Sequence, residues 1–215
     1  MGTHCESVLI GSQGLPGDLE IPANPIGIVV IVPASEGDRH SPRHQFVAHA
    51  LQSYGLATLM FDLLAGPPDH DRHPVLDIAI LRSRVTEALH WIDSRTDLAQ
   101  IPVGLFGAST GATAALLAAA REPSRIAALV SRGGRPDLAG SQLGRVRAPT
   151  LLIVGSENFG VLELNRYAMR SLPGTKTLTV VPGANNSFEE SGALDAATSL
   201  AGNWFLQHLQ HPALH

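Results

Sequence analysis

The chain has 215 residues, is 44% hydrophobic and 16% charged, and carries a net charge of −4 at neutral pH. That size and composition fit a single globular domain over residues 1–215 with a sizeable core. The balance gives no basic footprint for nucleic acid, no apolar run reaches membrane-spanning length, and the N-terminus carries no basic-then-apolar leader. Cys5 is the only cysteine, so no intrachain disulfide is possible, and a cytoplasmic location is expected.

Residues 8–10 and 19–21 read as two short strands around a Gly/Pro turn, an N-terminal hairpin. Residues 26–32, IGIVVIV, are a continuous β-branched run, the pattern of a strand buried on both faces. After the loop PASEGDRH (33–40), Ser41-Pro42 opens a helix, with serine as cap and proline in the first turn. Phe46, Val47, Ala50, Leu51 and Tyr54 fall on one face of it. Gly55 ends that helix, and 56–61 is the next buried strand. A loop rich in Pro, His and Asp (62–74) leads into a long helix with Ile78, Leu81, Val85, Leu89 and Ile92 on one side.

Residues 101–117, IPVGLFGASTGATAALL, read as a buried strand, a sharp turn and an alanine-rich helix. The turn Gly107-Ala108-Ser109-Thr110-Gly111 is a G-x-S-x-G. In such an elbow the serine sits in a strained strand-to-helix turn, kept clear by small neighbours. Its hydroxyl then projects at a helix N-terminus, where backbone N–H groups favour an anion. A strand at 126–130 with the exit loop SRGGR (131–135), strands at 150–154 and 178–181, and a helix around 161–172 follow. The last helix carries Leu194, Ala197, Leu200, Ala201, Trp204, Phe205 and Leu209. Alternating buried strands and amphipathic helices predict an α/β fold: a doubly wound, mainly parallel sheet of about seven or eight strands, without a large lid domain. Ligands bind beyond the carboxyl ends of the strands in such sheets.

The chain resembles the α/β-hydrolase superfamily, and within it the small dienelactone-hydrolase-like serine hydrolases. The matching stretches are RHSPR (39–43), FDLL (61–64), GASTGA (107–112), SRGGRPDLAG (131–140), RAPTLLIVG (147–155), VLELN (161–165) and FEESGAL (188–194). The resemblance implies that fold, with Ser109 as the nucleophile. It also implies an acid after the 150–154 strand and a histidine after the 178–181 strand. Those loops read GSENFG and PGANNSFEE, and the aligned positions are Asn158 and Asn186. No histidine lies between His90 and His208, so the expected loop supplies no base. The oxyanion loop departs as well. Relatives carry His-Gly followed by small residues, whereas this chain has Pro33-Ala34-Ser35-Glu36. A carboxylate at Glu36 opposes charge building up on an oxyanion.

A serine hydroxyl without a neighbouring base is a weak nucleophile, and an amide has no useful basicity. The candidate catalytic set is Ser109, Glu36, Asn158 and Asn186, with the backbone N–H groups of Ser35 and Thr110 for an oxyanion. Arg39, His40, Arg132 and Arg135 are candidates for binding substrate. Each has a plainer alternative. Asn158 and Asn186 would cap loops, Glu36 would face solvent, Arg39 would tether its loop, and His40 would be structural. Arg132 and Arg135 sit where they could hold a carboxylate or phosphate, or form salt bridges. Asp69, His70, Asp71 and His73 make a polar cluster read as a solvated loop rather than a metal site.

Three functions compete. The favoured one is a non-hydrolytic enzyme acting on a small organic molecule by cyclisation, isomerisation or elimination, with Glu36 as the acid or base. The second is a hydrolase of a small ester or lactone using His40 or Glu36 as an unorthodox base. The third is a binding module without turnover. None of them calls for a metal or other cofactor, and the partner in each is a small molecule.

Overall fold

The computed structural model describes residues 3–34, 39–63 and 78–210. Strands β1 (His4–Ile10) and β2 (Leu15–Ile21) form an antiparallel hairpin with His4 opposite Ile21 and Ile10 opposite Leu15. Both run longer than the apolar pattern indicates. The outer part of β1 is exposed, so polar residues alternate there and hide the strand. The hairpin joins the sheet through β2, which pairs antiparallel with β4 (Leu56–Phe61).

The rest of the sheet is parallel. It comprises β4, β3 (Gly27–Val32), β5 (Val103–Ala108), β6 (Ile126–Arg132), β7 (Thr150–Gly155) and β8 (Lys176–Val181). The order across the eight strands is β1-β2-β4-β3-β5-β6-β7-β8. Strands β3, β4, β5 and β7 are buried at every position, because helices cover both faces.

Two hydrophobic layers enclose the sheet. Helices α2 (Ile78–Ser94), α3 (Thr110–Arg121) and α4 (Phe159–Met169) cover one face, where Ile28, Val30 and Val32 of β3 point. Helices α1 (Pro42–Ser53) and α5 (Ala193–Leu209) cover the other, where Val29 and Ile31 point. Helix α1 is rotated from the expected face: Val47, Ala48 and Leu51 are buried, while Phe46 is 38% exposed. Ser41 holds the cap position of α1 with extended backbone but makes no side-chain cap bond. The sequence pattern did not reveal a kinked 3-10 segment, Pro136–Arg145, that sends Ala139 and Leu143 into the core.

Helix α5 ends at the amino edge of the sheet. Leu209 packs beside Gly27 and Pro102, and the Trp204 indole N–H donates to the Pro149 carbonyl at 3.4 Å. Among the described residues no helix is long and apolar enough to cross a membrane.

Candidate functional site

Strand β5 ends at Ala108 and α3 begins at Thr110, so Ser109 alone makes the turn. Its backbone sits at φ 52°, ψ −122°, a region that a residue with a Cβ rarely occupies. Two hydrogen bonds hold it there. The Ser109 N–H donates to the Arg132 carbonyl at 3.1 Å, and its own carbonyl accepts from Ala112 N–H at 3.1 Å. The flanking glycines are sterically required. A Cβ on Gly107 would lie 2.4 Å from Ala112 Cα, and one on Gly111 would lie 2.1 Å from the Pro33 carbonyl oxygen. The helix therefore rests main chain to main chain on the exit of β3, and Ser109 is left exposed.

Asn186 lies across from this elbow. Its Nδ2 donates to the Gly133 carbonyl at 3.1 Å, and its Oδ1 is buried without a partner. A Cβ on Gly133 would lie 2.5 Å from the Asn186 carbonyl oxygen. One on Gly134 would lie 3.6 Å from the Ser109 carbonyl oxygen. The Gly133-Gly134 pair therefore sits between the two residues. Asn158 follows β7 and caps α4, its Oδ1 accepting from Val161 N–H at 3.1 Å. That oxygen is turned to its own helix.

The loop after β8 is built by Asn185. Its Oδ1 accepts from the N–H groups of Ser187 and Phe188 at 2.7 and 2.8 Å, while its own N–H donates to Glu190 Oε2 at 3.0 Å. Main-chain bonds join this loop to the exit of β7: Glu157 N–H donates to the Ala184 carbonyl at 3.0 Å. Buried Asn165 of α4 donates to the Gly134 carbonyl at 3.0 Å and to the Val161 carbonyl at 2.8 Å. Neither Asn185 nor Asn165 was singled out from the sequence. The only signal is an amide in each case, Asn165 within the shared stretch VLELN and Asn185 directly beside Asn186.

The four candidate substrate-binding residues have separate surroundings. Arg39 donates to Asp18 Oδ2 at 3.1 Å and also to Asp62, and thus ties the β3–α1 loop to the middle of β2 and the end of β4. Arg135 forks onto Asp137 with two bonds of 2.8 Å, which hold the Asp137 carboxyl below its ordinary value. His40 is exposed. Arg132 is 8% exposed, and its Nε and Nη1 have no hydrogen-bond partner. Its guanidinium carbon stands 6.0 Å from the centre of the Phe106 ring and 5.5 Å from that of Phe188. Burial, and to a lesser degree the nearby Arg43, push its pKa down to about 10. The candidates Ser35 and Glu36, and the Asp69, His70, Asp71 and His73 cluster, lie outside the described residues.

The two histidines that bracket the long gap do not stand in the loops around Ser109. His208 is on the last turn of α5, its ring 4.3 Å from Trp204 and next to Leu209 at the amino edge. Ser109 is at the carboxyl edge of β5. His90 is an exposed residue of α2. Among the described residues no group of three or more His, Cys, Asp or Glu could hold a metal ion. A crevice lined by Ile31, Pro33, Arg39, His44, Met60 and Phe61 leaves no room for a water molecule. A larger hollow of about 380 Å³, lined by Arg82, Leu117, Arg121, Glu122, Gln142 and Arg145, lies at the far end of α3 from Ser109.

No family model matches the chain. Over 205 residues it is 50% identical to two Mycobacterium tuberculosis proteins (strains CDC 1551 / Oshkosh and H37Rv) that bear the name "Putative phosphoribosyl transferase". The match covers 95% of this chain and 46% of theirs, so the chain spans about half the length of the curated relatives it matches. Among solved structures it is similar to a dienelactone hydrolase from Anabaena variabilis ATCC 29413. The identity is 44% and the TM-score 0.91, over 96% of this chain and 98% of that one. A dienelactone hydrolase-like promiscuous phosphotriesterase from metagenomic libraries shares the fold at 18% identity, with a TM-score of 0.79 over 97% and 99% of the two chains.

Proposed function

The chain belongs to the dienelactone-hydrolase family of α/β hydrolases, and from that premise we propose that its site works on a small organic molecule without a serine–histidine–acid relay. The reading is a non-hydrolytic enzyme that orients its substrate with fixed polar groups for cyclisation, isomerisation or elimination. One observation carries it. The loops that follow β7 and β8 present the amides Asn158 and Asn186, and no histidine occurs between His90 and His208. Without a base, a serine loses on the order of 10⁴ or more in kcat.

The test is incubation with a fluorophosphonate and with p-nitrophenyl acetate. Absence of Ser109 labelling and of an acyl-enzyme burst is expected. Labelling that disappears in Ser109→Ala overturns the reading. Glu36 is the carboxylate that the sequence offers for proton transfer, and Glu36→Gln should abolish turnover while Ser109→Ala is mild.

One observation favours a second reading, a small ester or lactone hydrolase with His40 or Glu36 as base. Ser109 keeps the strained elbow backbone that a nucleophile uses and a bystander does not need. Fluorophosphonate labelling of Ser109 separates the two readings. The name borne by the Mycobacterium tuberculosis relatives is not carried over, because this chain is matched end to end by a hydrolase-fold structure.

A further inference from the structure

We propose that the hollow at the far end of α3 binds a diphosphate group, free or borne by a nucleotide, through Arg82, Arg121 and Arg145. Its occupancy is independent of whatever chemistry takes place at Ser109.

Three elements build the hollow. Arg82 comes from α2, Leu117 and Arg121 from α3 with its cap residue Glu122, and Gln142 and Arg145 from the 3-10 segment. Its volume of about 380 Å³ falls in the range of small-molecule sites. Leu117 is the one apolar side chain in the lining. Such walls suit a small, highly charged ligand rather than an apolar one. The sign of that charge follows from arginines that the fold leaves unused. Elsewhere Arg39, Arg84, Arg95, Arg125, Arg135 and Arg166 each hold an aspartate or glutamate. Among the described residues no ion pair joins Arg82, Arg121 or Arg145 to an acid. Glu122 sets one carboxylate against three guanidinium groups, in a chain whose net charge is −4.

Helix ends account for part of this pattern. Arg121 and Arg145 stand in the last turns of their segments, where a cation suits the helix dipole without any ligand. Arg82 is near the start of α2, so that reason does not apply to it. Nor does a dipole explain why three elements turn unpaired guanidinium groups to one hollow. Guanidinium forks meet phosphate oxygens with paired N–H donors. Two phosphoryl groups on one bridging oxygen can meet arginines on separate walls and the Gln142 amide together, where a single phosphate reaches fewer. Helix α3 has 12 residues and is therefore about 18 Å long, which keeps a ligand here clear of Ser109.

Titration calorimetry of the purified chain at about 0.15 M salt, where loose surface charge is screened, tests the site without any turnover. Pyrophosphate should bind at least about 10-fold tighter than inorganic phosphate, and at least about 10-fold tighter than citrate, which carries its charge on carboxylates. Arg82→Gln and Arg145→Gln should each weaken pyrophosphate about 10-fold or more. Arg170→Gln removes the same charge from the exposed end of α4, outside the hollow, and should change binding by less than about 2-fold. ADP identifies the source: binding as tight as pyrophosphate or tighter assigns a nucleotide, and weaker binding assigns free diphosphate. Ser109→Ala should bind pyrophosphate as the parent does, which separates this outcome from that at the elbow. No binding of pyrophosphate, binding no tighter than that of phosphate or citrate, an equal loss in all three arginine variants, or a loss in Ser109→Ala overturns the proposal. The ranking of ligands on the parent chain decides the matter if a variant does not fold.

Discussion

Asn186 donates to the carbonyl of Gly133 at 3.1 Å, and through the next residue, Gly134, that contact reaches the main chain of Ser109. The loop after β8 is thereby fixed against the exit of β6. Installing an acid and a base should therefore restore a relay. On the proposed reading, Asn158→Asp with Asn186→His is expected to bring stronger fluorophosphonate labelling of Ser109 than the parent shows. Asn186→His alone should gain little, because an imidazole without an orienting carboxylate can hold the wrong tautomer. A folded double variant without labelling would mean that the site has diverged beyond its triad.

Asn158 has a second, structural duty as the cap of α4. Asn158→Ala should cost about 1 kcal/mol, whereas Asn158→Asp should change stability by less than about 0.5 kcal/mol, since both Asn and Asp are good caps. Midpoints of urea unfolding measure both. An alanine variant as stable as the parent would remove the capping role.

Close packing under the elbow makes a sharper expectation. At Gly111 a methyl group would meet the Pro33 carbonyl oxygen at 2.1 Å and the Val32 carbonyl oxygen at 2.4 Å. Both obstacles are main chain, which cannot rotate away. Gly111→Ala should destabilise by about 3 kcal/mol or more. Circular dichroism melts of the parent and variant test this, and a shift within error would refute the contact.

Burial holds the His208 imidazole below its ordinary value, so the folded chain resists taking up the proton that the unfolded chain accepts near pH 6.5. The sign follows: this contribution is fully present above about pH 6.5 and is lost as pH falls below it toward the lower folded value. Thermal unfolding between pH 7.5 and 5 should show a fall in Tm that is shallower in His208→Leu. Equal slopes for the two proteins would dismiss it.

The parallel core was plain in the sequence because β3, β4, β5 and β7 are buried on both faces and read as unbroken apolar runs. The elbow was equally legible, because Gly107 and Gly111 are sterically compelled. The hairpin's outer length is hidden by its exposed side, and the buried face of α1 differs from its apolar pattern because Phe46, a large apolar residue, points outward. In the site, Asn158 and Asn186 stand out in the string, but their hydrogen bonds do not. Arg132 and Arg135 look alike in the string SRGGR. Their difference lies in three dimensions: Asp137 reaches one, and two phenyl rings enclose the other.

The posts of this site are joined by main-chain bonds, Ser109 N–H to the Arg132 carbonyl and Glu157 N–H to the Ala184 carbonyl. Exchanging a side chain at 109 or 186 leaves those bonds in place and removes at most one hydrogen bond from the total. Substitution at these positions is thus cheap in fold, so the frame tolerates a change of site chemistry. A library randomised at 109 and 186 should accordingly yield mostly folded proteins, a ready host for reactions that nature has not tried on this frame.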